Sequence, residues 1–137
     1  MFVYSTKIRV RYAETDQMGY MYYGNYAQFY EVGRVEMLRS LGMTYKSMEE
    51  SGIILPVAEL RCKYIKPARY DEEIDVRVML AVMPSTRMHF SYELYNESNT
   101  LINVGETTLA FIDIKKNRPC LPPKDFVDKI KSYFEQK

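Results

Sequence analysis

The period of apolar and polar positions changes once near the start of this chain. Residues 4–12 alternate between apolar and mostly basic or polar side chains, which is the period of a half-buried strand. Between Asn25 and Leu41 the apolar positions recur every three or four residues, as they do in a helix. Asn25 and Gln28 are spaced as in a capping box, and Gly42 follows where a glycine commonly ends a helix. The pattern therefore predicts a strand, a polar loop and a long helix.

A shorter helix is predicted around residues 44–51, and the rest of the chain up to Ile114 has the alternation of strands. The four predicted strands are separated by residues typical of turns and cover 58–64, 74–82, 88–94 and 101–114. In the last of these strands the apolar face shifts near Gly105, which is typical of a β-bulge. Pro122 and Pro123 then open a final amphipathic helix.

Four consecutive strands joined by short turns exclude an alternating βαβ arrangement and predict an antiparallel sheet. The long helix carries a broad apolar girdle, so other structure must enclose it. Its length is roughly 25 Å, which a curled sheet of five strands can wrap. We therefore predict an α+β fold in which a five-stranded antiparallel sheet wraps a long central helix, with a C-terminal helix. A chain of 137 residues has the length of one domain, so 1–137 is predicted to be a single domain.

Composition and charge then exclude several classes of function. A formal net charge of +1 gives no strong overall field, so no nucleic-acid partner is predicted. No apolar run reaches transmembrane length, and Lys7 interrupts the N-terminal stretch, so we expect a cytoplasmic protein without membrane insertion. Cys62 and Cys120 are far apart and His89 is the only histidine, so a zinc site of the usual kind cannot be assembled. We expect no metal, and two free thiols.

A carboxylate in the loop before the long helix is the first chemical candidate. Asp16 lies several residues before the predicted helix start. A helix N-terminus carries unpaired N–H groups and roughly half a positive charge, which suits a developing oxyanion. The alternative for Asp16 is an Asx turn, since Thr-Asp shortly before a glycine is common turn chemistry. A Ser–His or Cys–His nucleophile is disfavoured, because His89 lies in the middle of a predicted strand with no nucleophile elbow around it.

The residues around this loop resemble the N-terminal signature of a known family. The matching segments are RYAETDQMG at 11–19, MYYGNY at 21–26, FYE at 29–31 and YIKPARYD at 64–71. In order and spacing they resemble the 4-hydroxybenzoyl-CoA thioesterase family of hotdog-fold proteins. The nearest branch is the short bacterial acyl-CoA thioesterases that include the Tol-Pal-associated one. The resemblance implies a hotdog fold and hydrolysis of an acyl-CoA thioester to a free acid and CoA. CoA is then part of the substrate, and no cofactor is implied.

The resemblance also assigns roles to residues of the loop. Asp16 matches the catalytic carboxylate, which acts either as a nucleophile that forms a mixed anhydride or as a general base to water. The backbone amides of Tyr23 and Gly24 match the donors that polarise the thioester carbonyl. Gly19 matches the loop glycine that permits a tight turn beside the substrate. The Tol-Pal-associated branch has a histidine at the position of Tyr23, so this chain keeps the amide and replaces the imidazole with a phenol.

Further substrate contacts are predicted from side-chain chemistry. Tyr23 and Tyr26 are expected to line an acyl pocket, with ordinary packing as the alternative for both. CoA phosphates need cations, and three basic residues cluster near one predicted strand end. These candidates are Lys63, Lys66 and Arg69. The alternative for each of them is a solvated charge on a strand face or turn.

Two other functions share the predicted fold. Hydration or dehydration of acyl-CoA pairs an acidic residue with a histidine, which this loop lacks. A non-catalytic subunit would bind acyl-CoA without turnover. An acyl carrier protein also remains an alternative to CoA as the acyl donor.

Sheet edges must be paired or covered, and subunits of the family join edge to edge with their sites at the dimer interface. The resemblance therefore implies a homodimer or homotetramer.

Overall fold

A computed structural model describes residues 1–135 and shows an antiparallel sheet packed around one long helix. Within this range the helices are α1 (Tyr26–Ser40), α2 (Tyr45–Glu50) and α3 (Lys124–Ile130). The strands are β1 (Phe2–Arg9), β2 (Ile53–Ile54), β3 (Val57–Tyr64), β4 (Glu73–Leu80), β5 (Arg87–Tyr95), β6 (Leu101–Ala110), β7 (Ile112–Asp113) and β8 (Arg118–Pro119). None of the helices formed by residues 1–135 is both long and apolar enough to cross a membrane.

The main sheet has the strand order β1–β4–β5–β6–β3, and all neighbouring strands are antiparallel. β1 and β3 therefore form its two edges. The predicted fold, a five-stranded antiparallel sheet with a long helix and a C-terminal helix, is confirmed. The small second sheet, β2–β7–β8, was not predicted, because strands of two residues are too short to show alternation.

Two glycines set the distance between α1 and the sheet. A Cβ on Gly33 of α1 would lie 2.6 Å from Val78 and 3.0 Å from Val76, both buried side chains of β4. A Cβ on Gly105 of β6 would overlap the ring of Tyr30, a fully buried α1 residue. Because close-packed interiors leave no room for such overlaps, any larger residue at either position must move the helix or the sheet.

Two details of the strands differ from the predictions. The first strand was predicted to extend to residue 12, but β1 ends at Arg9. Tyr12 begins a short 3₁₀ turn and is 79% exposed. Val10 still hydrogen-bonds to the loop before β4, and the chain leaves the sheet after it through the 3₁₀ turn at residues 12–14. The face of β6 shifts at Ile102, next to the register irregularity with β5, and not at Gly105. The absence of a side chain at Gly105 instead makes room for the Tyr30 ring, which packs against it.

The two ends of α1 also differ from each other. Gly42, with φ +77°, ends the helix as predicted. At the start, Asn25 directly precedes α1, but its side chain makes no capping hydrogen bond. Its Nδ2 donates instead to the carbonyl oxygen of Glu14 at 2.9 Å. The predicted capping box is therefore wrong, because a 3₁₀ turn, Tyr23–Asn25, leads into the helix and the asparagine side chain holds the preceding loop.

Candidate active site

The loop between β1 and α1 is a tight turn that starts at Asp16. The backbone N–H of Asp16 donates to the Tyr20 carbonyl at 2.8 Å, and that of Gly19 donates to the Asp16 carbonyl at 3.0 Å. Gly19 has φ +77°, a left-handed conformation that glycine adopts without steric cost. Tyr20 also forms a backbone bridge to Arg69. The turn is thus closed on itself and tied to the segment between β3 and β4.

The two carboxylate oxygens of Asp16 differ in their hydrogen bonding. Oδ1 accepts the backbone N–H of Met18 at 2.9 Å and that of Tyr20 at 3.3 Å. Oδ2 has no hydrogen-bond partner among residues 1–135. The Asx-turn interpretation therefore describes one oxygen of Asp16 and leaves the other free for chemistry. The turn and the proposed reaction are compatible, since the turn fixes the direction of the carboxylate.

Backbone amides without partners lie at the start of the helical segment. Tyr22 N donates to the Glu14 carbonyl at 2.8 Å, and Asn25 N donates to the Tyr22 carbonyl at 2.9 Å. Between them, the N–H groups of Tyr23 and Gly24 have no acceptor within the range that the structure describes. The Tyr22 ring packs over Gly24 so closely that a Cβ there would lie 2.8 Å from it. These two amides are the predicted carbonyl donors, and they are free.

A cavity of about 310 Å³ lies between this loop and the end of β3. Four residues of the predicted set line it: Asp16, Tyr23, Tyr26 and Lys66. The remaining lining residues are mostly apolar or aromatic and comprise Met18, Tyr20, Met21, Tyr64, Ile65 and Pro67. The cavity therefore combines one carboxylate and one ammonium group with walls that suit an apolar ligand.

Two tyrosines form the inner wall of this cavity. Tyr26 is 2% exposed, and its hydroxyl accepts the N–H of Ala68 at 3.2 Å. The Tyr64 ring meets it edge to face at 5.1 Å, and the Tyr64 hydroxyl donates to the Tyr23 carbonyl at 3.1 Å. Burial raises the pKa of Tyr26, with a smaller contribution from the negative charge of Asp16. Burial also raises the pKa of Tyr64, to about 12. Both phenols are therefore neutral at physiological pH.

Sequence analysis did not identify two residues that shape the site. The first is Tyr64, which lay in an alternating strand and in a segment of the family resemblance but was given no role in the site. The second is Glu14, which lies in a polar loop and yet is only 6% exposed. Its Oε1 accepts the backbone N–H of Arg11 at 2.8 Å, while its carbonyl holds Tyr22 and Asn25. Alternation carries no information about loops, so the only available clue to Glu14 was its place beside Asp16.

The three basic residues predicted to cluster do not share one surface. Lys66 lines the cavity, and Arg69 stands beside the loop with its guanidinium 4.9 Å from the centre of the Tyr20 ring. Lys63 lines a different cavity, of about 510 Å³, together with Arg61. The separation follows from strand geometry, because Lys63 is on β3 and its side chain alternates to the other face of the sheet. The predicted cluster is thereby reduced to Lys66 and Arg69.

Comparison with known proteins gives consistent results along the whole chain. A family model described as the thioesterase-like superfamily matches residues 10–130. YneP of Bacillus subtilis is 33% identical over 137 residues, which cover 100% of this chain and 99% of that protein. The acyl-CoA thioester hydrolase YbgC of Escherichia coli O157:H7 is 31% identical over 124 residues, which cover 90% of this chain and 92% of that protein. A crystal structure of DHNA-CoA thioesterase from Staphylococcus aureus superposes with a TM-score of 0.88 at 36% identity, covering 98% of this chain and 90% of that one.

Proposed function

Because this chain belongs to the thioesterase-like superfamily, we propose that Asp16 and the first amides of its helical segment hydrolyse an acyl-CoA thioester in the cavity beside them. The chain is a thioester hydrolase of the acyl-CoA thioesterase type, as its relatives indicate. One observation carries the mechanism: Asp16, whose carboxylate has a free oxygen, and Tyr23, the first of two residues whose N–H groups have no acceptor, line the same cavity. The first N–H groups of a helical segment have no partner within it, so these two remain available to a ligand.

The free oxygen of Asp16 offers two routes to the same products. As a nucleophile it attacks the thioester carbonyl, the C–S bond breaks, the thiolate leaves and takes a proton, and water then cleaves the mixed anhydride. As a general base it removes a proton from water while that water attacks the carbonyl directly. Both routes end with a free acid and CoA. In both, the Met18 and Tyr20 amides hold Oδ1 and so aim Oδ2.

The oxyanion that forms in either route is assigned to the amides of Tyr23 and Gly24. Removing one donor of this kind typically costs about 3 kcal/mol in the activation barrier. The Tyr64 hydroxyl supports the arrangement because it donates to the Tyr23 carbonyl and so fixes that peptide. Tyr26 and Tyr23 are then the aromatic walls of the acyl pocket. Lys66 and Arg69, which lie beside the cavity and the loop, are the candidates for the CoA phosphates.

The decisive experiment replaces Asp16 by asparagine, which keeps the size of the side chain and its turn-forming oxygen. We expect kcat for acyl-CoA hydrolysis to fall by at least about a thousandfold, because the base or nucleophile is lost. Thiol release from a panel of acyl-CoAs measures this. Asp128→Asn, an exposed carboxylate on α3, is the matched control and is expected to retain full activity. Full activity in Asp16→Asn would refute the mechanism.

Isotope labelling tests the nucleophilic route. After a single turnover in ¹⁸O-water, label in the Asp16 carboxyl group would establish an anhydride hydrolysed at the enzyme's carbonyl, whereas direct attack of water on the thioester, like hydrolysis of an anhydride at its acyl carbonyl, places the label in the product acid alone. Running CoA and acyl-carrier-protein esters of the same acid side by side identifies the preferred donor. Affinity for acyl-CoA without any turnover would favour the alternative of a binding subunit.

The proposal includes self-association as a homodimer or homotetramer. β3 pairs only with β6 in the main sheet and leaves one edge open. Large apolar side chains along and just beyond this strand are between 45% and 50% exposed: Val57, Leu60, Tyr64 and Ile65. An open apolar edge is a ready template for pairing, and Tyr64 and Ile65 also line the cavity. Light scattering on the wild type and Asp16→Asn in the same experiment reports both assembly and integrity, and a monomeric wild type would contradict it.

A further inference from the structure

A second cleft lies on the other side of the Asp16 loop. It is open, has a volume of about 710 Å³, and is lined by Tyr12, Thr15, Asp16, Gln17, Gly19 and Tyr70. Asp16 also lines the acyl cavity described above, so the carboxylate stands between two spaces of different character. We call the second space the Tyr12–Tyr70 cleft.

The two tyrosines that name this cleft are unusually exposed for a fixed aromatic pair. Their rings meet edge to face with centroids 5.8 Å apart, yet Tyr12 is 79% and Tyr70 is 55% exposed. Their backbones are held together, because Val10 N donates to the Glu72 carbonyl and Asp71 N donates to the Val10 carbonyl, both at 2.9 Å. The chain thus presents two rings to solvent on a rigid support, which is the arrangement of a preformed binding surface.

The charges around the cleft suit an anionic ligand on its rim. Each tyrosine directly follows an arginine in the chain, Arg11 before Tyr12 and Arg69 before Tyr70. The Arg11 side chain is 75% exposed and contacts Glu14 through Nε only, at 3.4 Å, so its terminal nitrogens remain available. Next to Tyr70 in the chain, the carboxylate of Asp71 lies 3.8 Å from the guanidinium of Arg9, which offsets its charge.

The chemistry of a thioester requires two spaces around one carbonyl. The carbonyl joins an acyl arm to a thiol arm, so the group that attacks it must stand where the two arms meet. The inner wall of the acyl cavity is buried, with Met21 at 3% and Tyr26 at 2% exposure, and suits an apolar acyl group. The Tyr12–Tyr70 cleft offers a hydroxyl, an amide and two exposed rings, which suit a polar chain that carries a heteroaromatic base.

We infer that the Tyr12–Tyr70 cleft binds the thiol arm of the substrate, with the pantetheine chain beside Gln17 and the adenine ring against the two tyrosines. Arg11 and Arg69 then face the phosphates. This inference rests on the proposed function, because it takes Asp16 as the group that attacks the thioester. It adds Tyr12, Tyr70 and Arg11 to the substrate contacts.

The test compares two esters of one acid: the CoA ester and the N-acetylcysteamine ester, which lacks the nucleotide and most of the pantetheine. The double variant Tyr12→Ala/Tyr70→Ala is expected to lose about tenfold of the wild type's preference for the CoA ester, measured as the ratio of the two kcat/KM values. A Tyr12→Phe/Tyr70→Phe variant keeps both rings and is expected to recover most of the preference. Tyr133→Ala, an exposed ring on the C-terminal turn, is the control that leaves the ratio unchanged.

Two results would overturn the inference. An unchanged ratio in the alanine variant would show that the cleft does not contact the thiol arm. If the alanine variant instead lowers kcat/KM for both esters by the same factor, the cleft contacts the acyl arm that the two esters share. Calorimetric binding of free CoA adds a readout without turnover, and we expect its Kd to rise about tenfold in the alanine variant. If Asp16→Asn retains full activity, the mechanism fails while this binding result still decides the cleft.

Discussion

The two ends of α1 differ in whether their backbone polar groups find hydrogen-bond partners. At the C-terminal end, Gly42 N donates to the Arg39 carbonyl at 2.9 Å, and Lys129 Nζ donates to the Leu41 carbonyl at 3.0 Å. At the N-terminal end, a 3₁₀ turn leaves the Tyr23 and Gly24 amides without acceptors among residues 1–135. One end satisfies its polar groups within the chain, whereas the other keeps them for a ligand.

The difference teaches where stability and activity are located in this fold. A satisfied end contributes to the free energy of unfolding and has nothing left to offer a substrate. An unsatisfied end costs some stability and supplies preorganised donors, which are effective in catalysis because they need no reorganisation during the reaction. Changes at the N-terminal end should therefore act on kcat, and changes at the C-terminal end on stability.

Among changes at the two ends of α1 and the loops beside them, the largest effect is expected from removing one of the free amides. Gly24→Pro deletes the Gly24 N–H, and we expect kcat to fall about a hundredfold relative to Gly24→Ala. The alanine variant is the matched control, because its Cβ meets the Tyr22 ring in the same way and its N–H remains. Both are compared by kcat and by circular dichroism. Equal kcat values in the two variants would mean that this amide does not contact the oxyanion.

An intermediate effect is expected from two glycines with the same backbone angle. Gly19 in the Asp16 loop and Gly42 at the helix end both have φ +77°. Alanine at either position should lower the free energy of unfolding by about 1 kcal/mol, because a Cβ is disfavoured in this region. Urea titration at one fixed protein concentration measures it. Only Gly19→Ala should also lower kcat, since it disturbs the turn that aims Asp16. A loss of kcat in Gly42→Ala would contradict the division between the two ends.

The smallest effect is expected from Tyr64→Phe, which removes the hydrogen bond to the Tyr23 carbonyl and keeps the ring. A neutral hydrogen bond of this kind corresponds to about a fivefold change, so kcat should fall by about that factor. Because the pKa of Tyr64 is about 12, its hydroxyl stays protonated below that value, and the factor should be the same at about pH 6 and about pH 9. A factor that grows with pH would instead assign the deprotonated phenol the role of a base.

The regular part of the fold was predictable because its residues alternate with a fixed period. β4 buries every second side chain from Ile74 to Leu80, and α1 buries residues at helical spacing around Gly33. Period, length and turn residues are properties that a single sequence displays directly. The resemblance around Asp16 then indicated the family, which the matching family model and relatives confirmed.

The finer arrangement of the site was not predictable from the sequence. The buried position of Glu14 and the exposed ring of Tyr12 depend on backbone hydrogen bonds in a loop, where no period exists. Asn25 was expected to cap the helix, and only the folded chain shows that its side chain holds the loop instead. Lys63 and Lys66 are only three residues apart, yet Lys63 is on β3 whereas Lys66 lies beyond its end, and the two side chains line different cavities.

The close contact at Gly33 has a consequence for the site, several turns away along the same helix. α1 is rigid over this distance, and its first turn is tied through Asn25 to the loop that carries Asp16. A larger residue at 33 would push the helix away from β4, and this shift would reach both the free amides and, through Asn25, the loop that carries the carboxylate. The relative position of the Asp16 carboxylate and the free amides therefore depends on a packing contact in the core. We therefore expect a larger residue at Gly33 to lower activity, although this glycine does not line the acyl cavity.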